Sequence, residues 1–237
     1  MDKNVEKFRN IFLFNKYPKT TIFIAINPKI CTKTKNLAKD LFNIIPNSKL
    51  IYNAKKRNFS IEMKYISKSN ENNLSIFFNS IKSKIDQILI SSHFYDVTYL
   101  FSIYNFKSCA DFCFFGNCSK WSKPIIVFDK YFDDKPHLAI LKNIFVEIFT
   151  SKSKGKLSEP LVDHVISFVY VNSKVWLRVY QVKYIKNLGL DDSKREEEVI
   201  FLEIGPRVSL IPIKAWSNLK KKQVIFDFTD RCPSGQK

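Results

Sequence analysis

Residues 20–45 read TTIFIAINPKICTKTKNLAKDLFNII, and the order of elements in this stretch decides the fold class. Thr20 to Ile26 is a run of β-branched and apolar residues, which predicts a strand buried on both faces. Asn27-Pro28 ends that strand. From Lys33 to Ile45 the apolar residues recur at helical spacing, and Pro46-Asn47 closes the helix. The chain therefore opens with a strand, a turn and an amphipathic helix.

The same order of elements returns in mid-chain. Residues 124–129 (PIIVFD) predict a second buried strand, and residues 135–150 predict a helix whose apolar side chains share one face. A strand-helix unit that restarts in this way predicts an internal duplication. We therefore expect an α/β (α+β) fold built from two similar halves.

The remaining segments are predicted mainly as strands. In the first half these are strands at 74–81, 88–91 and 97–104, with a helix at 58–69. In the second half they are strands at 165–171, 174–182, 199–204, 208–215 and 223–228, with charged loops at 151–159 and 186–198. Asn172-Ser173 predicts a tight hairpin turn. Because Pro212 lacks an N–H group, its strand should lie at a sheet edge or carry a bulge.

The chain is strongly basic, with 39 Lys or Arg against 22 Asp or Glu and a net charge of +17. Residues 1–123 hold 20 of the basic and 8 of the acidic residues, a net charge of +12. A nucleic acid or an anionic membrane surface would neutralise this charge. Only 6 of the basic residues are Arg, and Asn, Ile and Phe are abundant. Codon bias in an AT-rich genome is therefore an alternative source of the lysines.

The sequence predicts an intracellular protein without a membrane partner. No segment reaches the ~18 uninterrupted apolar residues of a membrane span, and the charged N-terminus does not resemble a signal peptide. The five cysteines are Cys31, Cys109, Cys113, Cys118 and Cys232. Their number is odd, they form no Cys-x-x-Cys pair, and no His lies near the central three. We expect free thiols, no bound metal and no cofactor.

Enzyme motifs are missing from the sequence. It contains no Gly-rich nucleotide loop, no Walker pattern and no Gly-x-Ser-x-Gly elbow. The most enzyme-like pair is Asp163-His164. Adjacent residues of a strand point to opposite faces, so we expect these two side chains not to cooperate. A non-catalytic protein is the better interpretation.

Basic and aromatic side chains are the best candidates for RNA contacts. The helix that starts near Lys33 has free N–H groups that attract phosphate, and flanking lysines add charge. Trp121 offers a surface for base stacking, and an Arg can hold a phosphate through two hydrogen bonds. A solvated helix start and a core tryptophan are the alternatives. The candidates are Lys29, Lys33, Lys35, Lys120, Trp121, Lys123, Arg178 and Arg207.

Three motifs resemble those of the Brix-domain family. Residues 115–124 (FGNCSKWSKP), followed by IIVFD, resemble the family's Thr-Gly-Asn-Cys-Leu-Lys-Gly-Ser-Arg-Pro hallmark and its following strand. Residues 163–182 (DHVISFVYVNSKVWLRVYQV) resemble its Asp-His-Val, Lys-Ile-Trp, Arg and Tyr segment. Residues 202–207 (LEIGPR) match its Glu-Ile-Gly-Pro-Arg signature. The three motifs occur in the order that the family shows.

The resemblance implies the domain organisation. It implies an N-terminal extension (1–17), a Brix domain (18–228) and a C-terminal tail (229–237). The two halves of the domain, about 18–123 and 124–228, would each be similar to the anticodon-binding domain of certain tRNA synthetases. This agrees with the strand-helix unit that restarts in mid-chain.

The resemblance also implies a function in the nucleolus of the nucleus. Family members of the branch that this chain looks most like are non-catalytic factors for rRNA processing and assembly of the large (60S) ribosomal subunit. We expect binding to the 5′ region of large-subunit pre-rRNA and to other pre-60S assembly factors through a partner helix, with no small-molecule substrate. A protein-interaction scaffold with an incidental basic surface, an RNA-processing enzyme and an anticodon binder are the alternatives.

The sequence departs from the family pattern at several positions. Trp121 replaces the usual Gly, and Lys123 replaces the usual Arg, which removes bidentate phosphate contact there. After Arg207 the family has a Gly-rich turn, whereas residues 216–222 read WSNLKKK. The last turn of the domain is therefore expected to be rebuilt.

Overall fold

Strands make up most of the structure. The computed structural model describes residues 21–54, 73–81, 85–112, 116–120, 122, 124–150, 163–186, 197–217 and 223–228. The strands are β1 (Thr21–Ile26), β2 (Ser48–Ile51), β3 (Asn73–Ile81), β4 (Ile85–Ser92), β5 (Val97–Lys107), β6 (Ile125–Phe128), β7 (His164–Val171), β8 (Lys174–Lys186), β9 (Glu197–Glu203), β10 (Arg207–Ser217) and β11 (Val224–Asp227). The helices are α1 (Thr32–Ile44), α2 (Tyr131–Asp134) and α3 (Pro136–Thr150), with a 3-10 turn at Cys109–Asp111.

All of these strands belong to one mixed sheet with the order β2-β1-β3-β4-β5-β10-β8-β7-β6, while β9 pairs with β8 and β11 with β10. In the first half, β1 leads into α1 and lies parallel to β3, and β4 and β5 then run antiparallel. In the second half, β6 leads into α2 and α3 and lies parallel to β7, and β8 and β10 then run antiparallel. This confirms the α/β class, and the repeated order agrees with two similar halves.

The two halves join through β5 and β10, which pair antiparallel from Arg207 opposite Lys107 to Ser217 opposite Val97. The halves therefore share a continuous sheet, and one hydrophobic core extends through both. The boundaries of the domain and of its halves stay predictions. The predicted helix at 58–69, the loop at 151–159 and most of the loop at 186–198 lie outside the described residues.

Helix α1 begins at a cap that the sequence analysis did not foresee. The sulfur of Cys31 accepts a hydrogen bond from the Thr34 N–H at 3.5 Å, and Asp86 of β4 accepts one from the Thr34 hydroxyl. At the other end the Ile45 N–H donates to the Leu41 carbonyl at 2.8 Å. The face that α1 buries consists of Thr34, Leu37, Ala38, Leu41 and Ile44.

Aromatic side chains fill the space between α3 and the second half of the sheet. Phe168 of β7 stacks on Phe145 of α3 with ring centroids 4.4 Å apart. It also stacks on Phe128 of β6 at 4.9 Å and meets Phe149 at 5.8 Å. Phe168 is therefore the point where the predicted helix and two strands of the second half meet.

Two strand predictions need correction. The strand at 124–129 was expected to be buried, but β6 forms an end of the sheet, and Ile125 and Val127 are each 48% exposed. The edge placement allowed by Pro212 is also wrong, because β10 is central, between β5 and β8. The bulge alternative is confirmed, since the register with β5 shifts between Pro212 and Lys214. At the predicted hairpin, Asn172 and Ser173 both have positive φ, as a two-residue turn requires.

Replacing Phe168 with Ala should lower the free energy of unfolding by about 3–5 kcal/mol, because it empties the centre of the aromatic cluster. Urea unfolding monitored by circular dichroism measures this change. Val171→Ala on the same strand is the matched control, since Val171 is 45% exposed and should cost well under half as much. Equal losses for the two variants would contradict this account of the core.

Candidate nucleic-acid interface

The segment from 108 to 123, here called the bridge, connects the two halves and brings the three sequence motifs together. Gly116 lies against β8 and β9. A Cβ atom at this position would come within 2.9 Å of Leu202 and closer still to Ile204, so a larger residue would displace the bridge. The Asn117 N–H donates to the side-chain oxygen of Gln181 at 3.3 Å.

Asp163 holds the far end of the bridge. Its carboxylate accepts hydrogen bonds from the Ser119 N–H at 2.8 Å and from the Ser122 hydroxyl at 2.8 Å. The ring Nδ1 of His164 lies 2.5 Å from the same carboxylate. Burial acts to raise the pKa of Asp163, but the hydrogen bonds from His164, Ser119 and Ser122 outweigh it and hold that pKa below its ordinary value.

The expectation that Asp163 and His164 do not cooperate is wrong. Asp163 precedes the first residue of β7, so the alternation of side chains along a strand does not apply to it. The arrangement still differs from a nucleophilic triad. Ser122 and Asp163 both meet Nδ1 of His164, whereas its Nε2 is buried without a hydrogen bond in the described part of the chain. The cluster therefore holds the backbone of the bridge.

Arg207 holds the third motif in place. Its guanidinium donates to both carboxylate oxygens of Glu203, at 2.8 Å from Nε, and lies 5.6 Å from the ring centroid of Phe112. The hydrogen bond to Glu203 raises the pKa of Arg207. Gly205 has a φ of +76°, and a Cβ there would meet the Phe112 ring at 2.6 Å. The Nε and Nη2 edge of the group that was predicted to clamp phosphate therefore binds within the chain.

The other predicted residues lie in different places. Lys29 and Lys33 are exposed and Lys35 is half-buried, all near the start of α1. Lys120 lies near the other end of this helix, with its ammonium 4.9 Å from the ring centroid of Phe42. About 13 Å of helix separates position 33 from position 42.

The last three predicted residues belong to the sheet and to the bridge. Arg178 is half-buried on β8, opposite Ser167 of β7, on the sheet face that alternates with the core residues Leu177 and Val179. It is therefore separate from the α1 lysines. Trp121 and Lys123 lie outside the described residues.

The structure also contains a cavity that the sequence analysis missed. This inter-half pocket has a volume of about 450 Å³ and lies between α1, the bridge and the Ile204-Gly205 turn. Asp40 of α1 lines it and accepts a hydrogen bond from the Cys109 N–H at 2.8 Å. One feature of the sequence could have indicated a special role for Asp40: it is the one acidic residue in a helix that holds three lysines.

Burial changes the acid-base behaviour of the pocket. Burial raises the pKa of Asp40, although the backbone and side chain of Cys109 act in the opposite direction. Burial also raises the pKa of Cys109 to about 12 and that of Cys118 to about 11, so both remain thiols near neutral pH. Within the ranges that the structure describes, no three His, Cys, Asp or Glu side chains converge as metal ligands, and no helix is long and apolar enough to cross a membrane.

The bridge, the Asp163 cluster and the Glu203–Arg207 pair join the motifs that the sequence analysis singled out. The family model of the Brix domain matches residues 28–214. The chain belongs to the Brix-domain family. Over 196 residues it is 29% identical to the ribosome biogenesis protein BRX1 homolog of Rattus norvegicus, covering 83% of this chain and 52% of that protein.

A second relative gives a similar match. The chain is 28% identical over 173 residues to ribosome biogenesis protein BRX1 of Saccharomyces cerevisiae, covering 73% of this chain and 60% of that protein. It therefore spans about half to three fifths of the length of these relatives. A crystal structure of a probable ribosomal biogenesis protein from Aeropyrum pernix K1 aligns with 81% of this chain and 95% of its own, with 11% identity and a TM-score of 0.42.

Replacing Asp163 with Asn should lower the free energy of unfolding by roughly 1–3 kcal/mol at neutral pH, because the charged acceptor of three hydrogen bonds is lost. The pKa of Asp163 is lowered on folding, so its contribution is complete above the ordinary value of 3.8 and disappears as the pH falls below it. The difference between wild type and Asp163→Asn should therefore shrink between pH 6 and pH 3. Urea unfolding across this range measures it.

Asp134→Asn is the control, because Asp134 is exposed on α2. Its effect on stability should be small at every pH. A constant difference between wild type and Asp163→Asn down to pH 3 would show that the ionised carboxylate does not hold the bridge.

Proposed function

We propose that this chain is a non-catalytic assembly factor that binds pre-rRNA during biogenesis of the large (60S) ribosomal subunit. The observation that carries the proposal is its similarity, over most of its length, to relatives named ribosome biogenesis protein BRX1. Nuclear and nucleolar location, a part in rRNA processing and association with pre-60S particles follow from the same relationship. Binding near the 5′ region of the large-subunit pre-rRNA is the finer form of the proposal.

The distribution of charge around α1 supports RNA binding. Lys29, Lys33, Lys39 and Lys49 are exposed, and the first turn of α1 contains no acidic residue. Lysines at a helix N-terminus oppose the helix dipole, so helix stability does not explain them. A polyphosphate surface does, because each lysine that neutralises a phosphate releases counterions and adds to affinity.

Lys120 extends this surface along the helix. Its position beside Phe42 leaves a series of positive charges running from the start of α1 to the bridge. Lysines act as point charges on phosphates, and helical RNA is recognised mainly through its shape and backbone. We therefore assign α1 and the bridge to the rRNA backbone, with modest sequence preference.

The contacts of the other candidate RNA-binding residues decide how each is assigned. Arg207 already holds Glu203 through two hydrogen bonds, so we assign it to the fold ahead of RNA. Arg178 lies opposite Ser167 on the same sheet face as Val169, away from the α1 lysines, and it stays a predicted contact with a separate segment of RNA at the margin of that face. Trp121 and Lys123 remain predicted RNA contacts. The Ser122, Asp163 and His164 cluster is a structural brace in this proposal, which agrees with a scaffold that makes and breaks no bonds.

Binding of a pre-rRNA fragment should weaken steeply with salt, with a log–log slope of order −4 to −5 if about six phosphates are contacted. The double variant Lys29→Gln with Lys33→Gln should reduce the magnitude of that slope by roughly 1.4–1.8, because two phosphate contacts are lost. Filter-binding titrations from low to high salt measure it.

The matched control is Lys130→Gln with Lys183→Gln, which removes two exposed lysines from the second half of the chain. The slope for this control should stay close to that of the wild type. Equal slopes for all three proteins would remove α1 from the RNA interface, and a wild-type slope near zero would reject electrostatic capture altogether.

A second face favours contact with another protein. Ile125 and Val127 of β6 and Val169 and Val171 of β7 are exposed, on the side of the sheet opposite the residues that pack on α3. Exposed apolar side chains on neighbouring strands mark interaction surfaces. We propose that a helix of another pre-60S assembly factor docks here, so that the chain also serves as a protein-interaction scaffold.

Site-specific photocrosslinking in cells should separate the two surfaces. Benzoylphenylalanine in place of Val169 should give adducts that survive nuclease digestion and contain protein, because the apolar face contacts a partner helix. The same crosslinker in place of Lys33 should give adducts that shorten on nuclease digestion. Nuclease-sensitive adducts from position 169 would assign the apolar face to RNA instead.

A further inference from the structure

The inter-half pocket combines features that the rRNA-backbone proposal does not use. Its volume of about 450 Å³ falls within the range of sites for small organic ligands. Its apolar lining comes from Ile44, Ile204 and Phe112, and its polar lining includes Asp40, Asn43, Asn117, Ser119 and Lys120. Apolar surface beside several convergent polar groups suits one planar, polar molecule.

Asp40 is the group that sets which ligand fits. The Cys109 N–H holds its carboxylate at 2.8 Å, and an ionised carboxylate has about four acceptor sites, so it can accept further hydrogen bonds. Burial raises the pKa of this carboxyl, which means that its ionised form is poorly solvated. A ligand that offers N–H donors would replace the missing water.

We propose that the inter-half pocket binds one unpaired guanine nucleotide of the RNA, with Asp40 accepting hydrogen bonds from the guanine base. Guanine presents two adjacent donors, N1–H and the 2-amino group, to a carboxylate. Adenine and cytosine place an acceptor nitrogen beside their amino group, and uracil places its N–H between two carbonyl oxygens. Unpaired bases in RNA are commonly read through this edge.

The rest of the pocket suits the nucleotide. Phe112, Ile44 and Ile204 provide apolar surface for the faces of the base, and the Asn43 amide can hydrogen-bond to its other edge. Lys120 lies at the pocket next to the bridge and supplies positive charge for the attached phosphate. The inference rests on the proposed function, because the nucleotide belongs to the RNA that α1 binds.

An arginine of a partner protein also presents paired N–H donors to a carboxylate. Charge favours the nucleotide. Exposed Lys33 and Lys39 lie on the same helix as Asp40, Lys120 lines the pocket, and the first 123 residues carry a net charge of +12. This positive charge repels a cationic side chain and attracts a ligand that carries a phosphate.

The test uses the full chain and fluorescence anisotropy with labelled single-stranded oligonucleotides. Each is a uridine-rich RNA with one central guanosine, adenosine or inosine. Guanosine should bind roughly ten-fold more tightly than adenosine, in keeping with a good carboxylate–base pair. Inosine, which lacks only the 2-amino group, should lose most of that preference. Because inosine changes the RNA and not the protein, this arm does not depend on the folding of a variant.

Asp40→Asn is the protein arm, since it retains an acceptor for the Cys109 N–H but replaces an oxygen with an amino group. It should bind guanosine and adenosine oligonucleotides within two-fold of each other. Lys120→Gln is the matched control, because it should weaken both to a similar extent and leave the preference intact. A preference for guanosine that survives in Asp40→Asn would overturn the assignment of Asp40.

Free ligands separate the remaining outcomes. In ¹H–¹⁵N spectra, 5′-GMP should shift the amide signals of Gly116, Asn117 and Gly205 more than 5′-AMP does. If N-acetylargininamide shifts them and 5′-GMP does not, the pocket belongs to a protein partner and the proposal fails. Salt-dependent binding without any base preference would overturn the pocket while the proposed function stands, whereas no binding of either the oligonucleotides or a pre-rRNA fragment would reject both.

Discussion

The antiparallel pairing of β5 with β10 is the constraint on which the rest of the structure depends. Ten register pairs join these strands, which is the longest contact between the two halves, and two bulges interrupt them. Backbone groups in the middle of a sheet must be paired, so neither half can separate without exposing a strand edge. The chain must then return from the end of β5 to the start of β6 at the far edge of the sheet. That return is the bridge.

The bridge explains why the family motifs contain the residues they do. Gly116 and Gly205 sit where a Cβ atom would collide with a neighbouring side chain. Asp163 holds the bridge through Ser119 and Ser122, and Arg207 lies over the Phe112 ring while it binds Glu203. The Asp-His pair and the arginine, which resemble catalytic or ligand-binding residues in the sequence, therefore hold the backbone in place. Their charges are neutralised within the chain, which leaves the lysines of α1 for an external polyanion.

Local pattern predicted the elements of this fold but not their neighbours. The apolar runs at 20–26 and 124–129 both form strands. β1 has a neighbouring strand on each edge, β2 and β3, and is largely buried, whereas β6 ends the sheet and alternates exposed with half-buried residues. From Pro212 we predicted either a bulge, which is present, or an edge strand, which is wrong. A proline indicates that one hydrogen bond of the sheet is missing, but it does not indicate where the strand lies in the sheet. Asp40 was missed since its role depends on Cys109, 69 positions away in the sequence.

Asp86 shows how one long-range contact makes the basic surface compatible with a stable helix. The start of α1 carries partial positive charge from its unpaired N–H groups, and lysines nearby add to it. Asp86 of β4 accepts a hydrogen bond from the Thr34 hydroxyl and lies within 3.4 Å of the Cys31 sulfur, so a carboxylate is held at that end of the helix. This negative charge offsets the positive end of the helix dipole. Lys29 and Lys33 can then remain on the solvent side, where their charge is available to RNA phosphates.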